Sequence, residues 1–465
     1  MDLPAWLPRA ASAYPGRTAL EAPDGKLSYA ALDSRAAYAA WALADRCVRR
    51  GDHVAIALPA GEAFVVALHA CLRMGAVAMP IDLRLGEGER RAREASAAVV
   101  VDEPLGGGAD PAGRAASATQ EPLGAGADPA GRAASAAQEP LGAGADPADR
   151  SAPATHDLSA PAIVVHTSGT SGAAKPVELT YGNLLWSAMG SAVALGLDKE
   201  ERWLCPLPLT HVGGLSVLLR SAITGTTAVL HPRFDAGAVA AALARDRITV
   251  VSLVPTMVAR LLDAGARPAP TLRWALVGGA ALDPSLAGRA RKAGVPVAET
   301  YGLTEACSQV ATRGVPLFCT RVELAADDEI LVVGPTVAPG ATGPDGWLHT
   351  GDLGRIDDRG QLVVIGRKAD TIVTGGENVA PAEVEAALLD HPAVAEAAVH
   401  GRSDPEWGEA VTATIVLRAR AAATEEELRA HAARQLAGYK VPKTVRFVDS
   451  LPRTPSGKIR RDELR

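Results

Sequence analysis

Apolar residues along this chain fall into short runs separated by longer amphipathic stretches. The run at 53–58 is followed by an apolar-rich stretch at 62–74 and a second short run at 77–80. That order predicts strand, helix, strand. The alternation returns as strand 248–254, helix 257–262 entered through Pro255, strand 272–277, helix 284–292 and strand 295–298. Short apolar strands joined by crossover helices imply sheets covered on both faces. Antiparallel strands are expected near 329–333 and 361–365, with turns at Asp345-Gly346 and Arg359-Gly360. After Arg367 the pattern predicts a smaller unit: helix 381–389, strands 394–400 and 411–417, helix 424–436 and strand 445–448. Thr424 followed by Glu427 predicts a capping box.

The 465 residues exceed one ordinary core and suit two or three domains. The expected class is α/β and α+β multidomain. A large N-terminal domain of layered αβ subdomains with a β-rich portion covers 1–366, and a small α+β domain covers 367–465. Residues 103–150 break the pattern. Glu103-Pro-Leu-Gly, Glu121-Pro-Leu-Gly and Glu139-Pro-Leu-Gly recur every 18 residues, each trailing Gly-Ala-Asp-Pro-Ala. One leucine per repeat cannot supply the apolar face a solenoid stacks on. The segment reads as a flexible surface insertion between strands at 99–101 and 163–165, where extra loop length costs little closure entropy.

Composition narrows the function. A formal charge of -6 and a pI near 6.0, with no Lys/Arg stripe, exclude a general nucleic-acid binder. Cys47, Cys71, Cys205, Cys307 and Cys319 are scattered without a CxxC pair, which points to a reducing cytoplasm and to no zinc site. The most hydrophobic stretch, 64–81, is interrupted by His69, Arg73 and Gly75 and reads as buried helix and strand, with no transmembrane segment expected.

The candidate chemistry lies in loops. Thr167-Ser-Gly-Thr-Ser-Gly-Ala-Ala-Lys175 follows an apolar strand. Amides freed by Gly169 and Gly172, hydroxyls from Thr167, Ser168, Thr170 and Ser171, and the Lys175 ammonium suit phosphate oxygens. It is not the GxxxxGK[ST] loop, since Pro176 follows the lysine. A plain surface turn is the competing reading. Glu299-Thr-Tyr-Gly-Leu-Thr-Glu305 groups a ring on Tyr301 that could stack on a base, a hydroxyl on Thr304 for a phosphate, and a Glu305 carboxylate for a magnesium ion. Asp352, in His349-Thr-Gly-Asp352, suits ribose hydroxyls as readily as it suits a turn. Lys458, in Pro455-Ser-Gly-Lys458, would by itself read as a solvated tip.

Taken together these motifs resemble the adenylate-forming acyl-CoA synthetases. The resemblance spans nearly the whole chain outside the repeats. It rests on the ordered set 167–172, Pro208-Leu-Thr-His-Val-Gly-Gly214, Val277-Gly-Gly-Ala280, Tyr301-Gly-Leu-Thr-Glu305, Thr350-Gly-Asp352, Gly366-Arg367, Gly375-Gly376-Glu377 and Pro455-Ser-Gly-Lys458. It implies two half-reactions: a carboxylate attacks the α-phosphate of Mg-ATP, and then, after the C-terminal domain rotates, the thiol of coenzyme A attacks the acyl-adenylate. It implies that Lys458 stabilises the adenylation transition state. Thr167, Ser168, Gly169, Thr170, Ser171, Gly172, Lys175 and Thr304 would cradle phosphates, and Glu305 would orient magnesium. Gly278, Gly279, Ala280, Tyr301 and Gly302 would frame the adenine, Asp352 and Arg367 the ribose, and Gly375 and Gly376 the pantetheine path. Two departures stand out. The family's Gly-x-Pro-Lys-Gly is Gly172-Ala-Ala-Lys-Pro176 here, and its hinge Asp or Lys is Ala369.

Within that family, His211-Val-Gly-Gly-Leu-Ser216 with Leu218-Leu-Arg220, and the run from Tyr301 through Ala306-Cys-Ser-Gln-Val310, are similar to the o-succinylbenzoate–CoA ligases of menaquinone biosynthesis. The resemblance implies an aromatic, doubly anionic acid as substrate. His211 and Ser308 would line the acyl site, and Arg233 is a candidate partner for the second carboxylate. Another aryl or short-chain acyl-CoA synthetase, or a stand-alone adenylation protein loading a carrier protein, would carry the same ATP motifs. A homodimer stays open.

Overall fold

The computed structural model describes residues 1–105, 155–168, 174–453 and 459–464. Repeat residues 106–150, the loop positions Gly169, Thr170, Ser171 and Gly172, and Lys458 lie outside the described residues.

Among the described residues, the large N-terminal part holds two αβ-layered sheets and a β-rich piece. A nine-stranded sheet runs parallel through Val297–Tyr301, Trp274–Val277, Val250–Leu253, Arg202–Cys205, Thr227–Leu230 and Thr18–Ala22, with antiparallel strands at its edges. A five-stranded sheet runs in the order Val99–Val101, His53–Ile56, Val77–Pro80, Pro161–Ser168, Ala174–Thr180. Both strands that flank the repeats thus belong to one sheet.

The expectation of double coverage is met residue by residue. Trp203 and Cys205 point into one core while Leu204 points into another; Leu276 joins the first, Ala275 and Val277 the second. Val54 and Ile56 likewise separate from Ala55, Val77 and Met79. Successive strand side chains face opposite ways, so a run apolar at every position requires helices on both faces. Helix Glu62–Met74 ends where the sequence pattern places its end, because Gly75 takes a left-handed cap at φ 76°.

The β-rich piece is a four-stranded antiparallel sheet, Arg321–Leu324, Glu329–Val333, Leu348–Ile356 and Leu362–Arg367. Past the 3₁₀ turn Lys368–Asp370 a separate apolar cluster forms around strands Val394–Asp404 and Gly408–Leu417 and helices Pro381–Leu389 and Glu425–Ala433. The capping box of Thr424 and Glu427 is present. Its helix stops three residues short of the expected end, because Leu436 turns back onto the cluster.

Strand Ala174–Thr180 is absent from the sequence-based expectation. Val177 and Leu179 are buried and Glu178 exposed, a period of two, yet Pro176 argues against a strand. The strand lies at the sheet edge, where a missing N–H breaks no ladder. No helix among the described residues is long and apolar enough to cross a membrane.

Candidate active site

The site is built at the C-terminal edge of the nine-stranded sheet, where open α/β sheets take ligands. Strand Trp274–Val277 ends in Gly278-Gly279-Ala280. A Cβ on Gly278 would lie 2.8 Å from Thr300 Cγ2 of the neighbouring strand, and Gly279 adopts φ +83°. Only glycine keeps this floor flat and its amides bare.

The next strand ends at Tyr301 and folds into a tight loop. A Cβ on Gly302 would fall 1.6 Å from Ser308 O, so the chain closes on itself at that point. Thr304 and Glu305 occupy a single 3₁₀ turn, and Cys307 and Ser308 follow with φ of 52° and 91°. Left-handed backbone at two non-glycine residues costs energy and concentrates at functional loops. Ser308 N donates to Leu303 O at 3.1 Å, and Ala338 N to Glu305 O at 2.8 Å, which hold the turn.

Asp352 reaches this loop from the antiparallel sheet. Tyr301 Oη donates to its Oδ2 at 2.8 Å, and Arg367 Nε pairs with its Oδ1 at 2.7 Å. Asp352 and Arg367 are direct partners in adjacent strands. Burial, with the Asp352 charge beside it, pushes the Tyr301 phenol up, so it stays a donor. A carboxylate accepts up to about four hydrogen bonds, enough for ribose hydroxyls to join the tyrosine and the arginine on it.

The strands on either side of the phosphate-type loop, Pro161–Ser168 and Ala174–Thr180, pair antiparallel. Thr167 faces Lys175 across that pair, and Thr167 Oγ1 donates to Lys175 O at 3.3 Å. Lys175 is exposed.

Helix Val212–Thr224, which carries the residues expected to line the acyl site, has His211 at its N-cap. A Cβ on Gly214 would meet Pro208 O at 2.4 Å, which locks the His211 loop against the helix. Burial, then the nearby Arg84 cation, hold the His211 imidazole below its ordinary range and neutral. Two turns on, Arg220 is 4 % exposed. Its Nη2 donates to Ser187 Oγ at 3.1 Å, Ser187 Oγ donates to Cys307 O at 2.7 Å, and the guanidinium lies over the Trp203 ring. It has no carboxylate partner among the described residues, its Nε makes no hydrogen bond, and burial lowers its pKa to about 10. Arg233, by contrast, is exposed in the loop before helix Ala236–Arg245. The buried cation behind the 301–308 loop is therefore Arg220. The sequence carries it inside a family motif but gives no sign of its burial, because the helix around it is buried on every side from Gly214 through Ile223.

On the small domain, Gly375 packs against Trp407, a Cβ there lying 3.1 Å from its ring, and Gly375 N donates to Trp407 O at 2.8 Å. Lys443 Nζ sits 4.3 Å from the same ring. Neither Trp407 nor Lys443 belongs to a motif visible in the sequence.

Among the described residues, no three His, Cys, Asp or Glu side chains gather into a metal cage. A lone Glu305 carboxylate beside the Thr304 hydroxyl fits magnesium, which keeps most of its waters and arrives on substrate phosphates.

A glycine-floored sheet edge, a tyrosine–aspartate–arginine cluster and a small domain carrying a glycine loop accord with an AMP-forming ligase that activates acids. Residues 7–343 match the AMP-binding enzyme family and 383–458 its C-terminal domain, and the chain belongs to that family. It is 37% identical to the 2-succinylbenzoate–CoA ligase of Bacillus licheniformis over 100% of both chains. It superposes with a TM-score of 0.85 on o-succinylbenzoate CoA synthetase (MenE) from Bacillus subtilis in complex with the acyl-adenylate intermediate OSB-AMP, at 33% identity over 100% of this chain and 98% of that one. A double mutant of the same synthetase bound to a product analogue, OSB-NCoA, gives 0.68 at the same identity and coverage. The overall arrangement is thus nearer that of the acyl-adenylate complex.

Proposed function

We propose that this ligase activates o-succinylbenzoate with Mg-ATP and passes the acyl group to coenzyme A, releasing pyrophosphate and AMP. One carboxylate oxygen forms a bond to the α-phosphorus as the bond to the β-phosphate bridge breaks. The thiol sulfur then attacks the acyl carbon, its proton is lost, and AMP leaves. A mixed anhydride with AMP supplies the leaving group that a bare carboxylate lacks.

Residues 1–366 serve as the substrate domain and 367–465 as the moving one. Gly278, Gly279, Ala280, Tyr301 and Gly302 frame the adenine. Asp352, oriented by Tyr301 and Arg367, accepts the ribose hydroxyls. Thr167, Ser168, Gly169, Thr170, Ser171, Gly172, Lys175 and Thr304 hold phosphates, and Glu305 orients the magnesium that offsets their charge. Lys458 meets charge developing between carboxylate and α-phosphate. The neutral His211 lines the acyl pocket with Ser308. Gly375 and Gly376, with Trp407 behind them, border the path of the thiol.

The observation that carries the substrate assignment is Arg220. An arginine this buried, without a carboxylate partner among the described residues, is costly to keep unless a ligand anion completes it. A second carboxylate reaching the wall behind Ser308 meets that need, and a monocarboxylic acid does not. The test compares Arg220→Gln with the parent on o-succinylbenzoate and on benzoate. Loss of one partner from a desolvated charge pair costs about 2–5 kcal/mol, so kcat/KM for the dianion drops on the order of 10²-fold or more. Benzoate turnover barely changes. An equal loss on both acids overturns the assignment.

A further inference from the structure

Helix Tyr181–Leu195 carries large apolar residues on its solvent face. Its polar side chains Asn183, Ser187 and Ser191 are buried instead. Asn183 Nδ2 donates to Pro335 O at 2.8 Å and to Val337 O at 2.9 Å, and Ser187 Oγ donates to Cys307 O at 2.7 Å. These inward hydrogen bonds fix the helix about its axis. Trp186, Met189 and Val193 are therefore held outward and exposed, and Leu197 continues their line past Gly196. Ordinary surface helices show the reverse pattern.

The patch extends beyond the helix. The rings of Trp186 and Phe318 lie 6.1 Å apart, and Cys319 Sγ donates to Trp186 O at 3.7 Å. A Cβ on Gly190 would fall 2.8 Å from Leu317 Cδ1, so this segment lies close against the helix. Trp186, Met189, Val193, Leu197 and Phe318 are 37% to 61% exposed. At those exposures they leave roughly 500 Å² of apolar surface open, near the top of what soluble monomers carry.

Area, charge and spacing point to a second copy of the chain. A dimer interface of ordinary size takes about 800 Å² per partner, about 65% of it apolar, and the patch supplies that apolar share. Residues near a two-fold axis meet their own counterparts, so a charge there would oppose itself. The helix holds no charged residue. Leu185, Met189, Ala192 and Gly196 follow one another at spacings of four, three and four, with Trp186 and Val193 alongside. That is the seam on which two helices interdigitate.

We propose that the face formed by helix Tyr181–Leu195 and Phe318 is the interface of a homodimer. The two copies meet across a two-fold axis with these helices antiparallel. Met189, between Trp186 and Val193, lies nearest the axis and meets its counterpart. The proposal does not depend on which acid the site activates.

Sedimentation velocity of the full-length protein from about 1 to 100 µM tests it. The 47.7 kDa chain runs at about twice that mass at the upper concentrations. Met189→Glu sets two carboxylates against each other and raises the dimer dissociation constant on the order of 100-fold or more. Val193→Glu acts in the same direction and carries the test if Met189→Glu does not fold. Tyr38→Glu, at an exposed aromatic on helix Tyr29–Asp45, leaves the dimer intact. In a Cys47→Ser background, which removes an exposed native thiol, Met189→Cys forms an interchain disulfide on mild oxidation and Tyr38→Cys does not. A chain that stays monomeric to about 100 µM, a dimer that survives both glutamates, or a dimer that Met189→Cys fails to crosslink overturns the proposal. Loss of the dimer on deleting residues 106–150 places the contact in the repeats and overturns it as well.

Discussion

Tyr301 and Asp352 are 51 positions apart and lie in different sheets, yet the phenol donates to the carboxylate at 2.8 Å. The contact joins the parallel sheet to the antiparallel one at the point where the proposed ribose would rest. It makes Tyr301 the orienter of the acid beside it, in addition to the base-framing role proposed for its ring.

Substitutions at this pair separate the two jobs. Tyr301→Phe keeps the ring and removes a hydrogen bond to a charged group, worth about 1.5–3 kcal/mol. The ATP affinity then falls about tenfold, measured by calorimetry with a non-hydrolysable analogue, and Tm falls by a few degrees. Asp352→Asn removes the charge that faces Arg367 and turns one of its two acceptor oxygens into a donor, and its ATP affinity falls further than that of Tyr301→Phe. An Asp352→Asn protein with parental ATP binding would contradict the ribose assignment.

Gly302 is under the tightest steric demand in the loop. A methyl group at this position would lie 1.6 Å from Ser308 O, so Gly302→Ala forces the Cys307-Ser308 turn open. Adenylation is expected to fall by on the order of 10²-fold or more, because the reacting groups lose their alignment. The small domain's own folding is unaffected. Circular dichroism melts and pyrophosphate release check this together. Near-normal turnover would mean that the loop geometry is not needed for chemistry.

Two core histidines contribute to stability in mild acid. Burial pushes His69 and His156 down from 6.5 to about 4, His156 with help from the charge on His69. His156 Nε2 accepts the Trp6 backbone N–H at 3.3 Å, which requires the neutral ring, and that ring stacks on Tyr181 at 4.3 Å. The unfolded chain takes up protons below about pH 6.5 and the folded chain only near 4. Their contribution is therefore intact above about pH 6.5 and is lost as pH falls toward about 4, by on the order of 3 kcal/mol per histidine at most. Urea midpoints measured from about pH 7.5 to 4.5 should decline over that window, and His156→Phe should flatten the decline. A slope unchanged in His156→Phe would remove this histidine from the account.

Much of the architecture is legible in the sequence because strands and helices announce themselves locally. Helices Glu62–Met74, Pro284–Lys292 and Pro381–Leu389 begin and end where proline, glycine and apolar spacing place them. Strand Ala174–Thr180 is hidden by Pro176, since sequence does not say which strand will lie at an edge. Arg220 is hidden for a related reason. Helix Val212–Thr224 is buried from Gly214 through Ile223, so it has no polar face against which a charged residue would look misplaced.

The order of motifs along the chain, the glycines that floor the site and the chemistry available at each loop are properties of the sequence alone, because they depend on a few neighbouring residues. Which side chains meet was decided by the tertiary structure: Tyr301 with Asp352, Arg220 behind Cys307, Trp186 beside Phe318. Those contacts join segments far apart in the chain. Their geometry follows from how sheets and domains pack, which no local pattern of apolar and polar residues encodes.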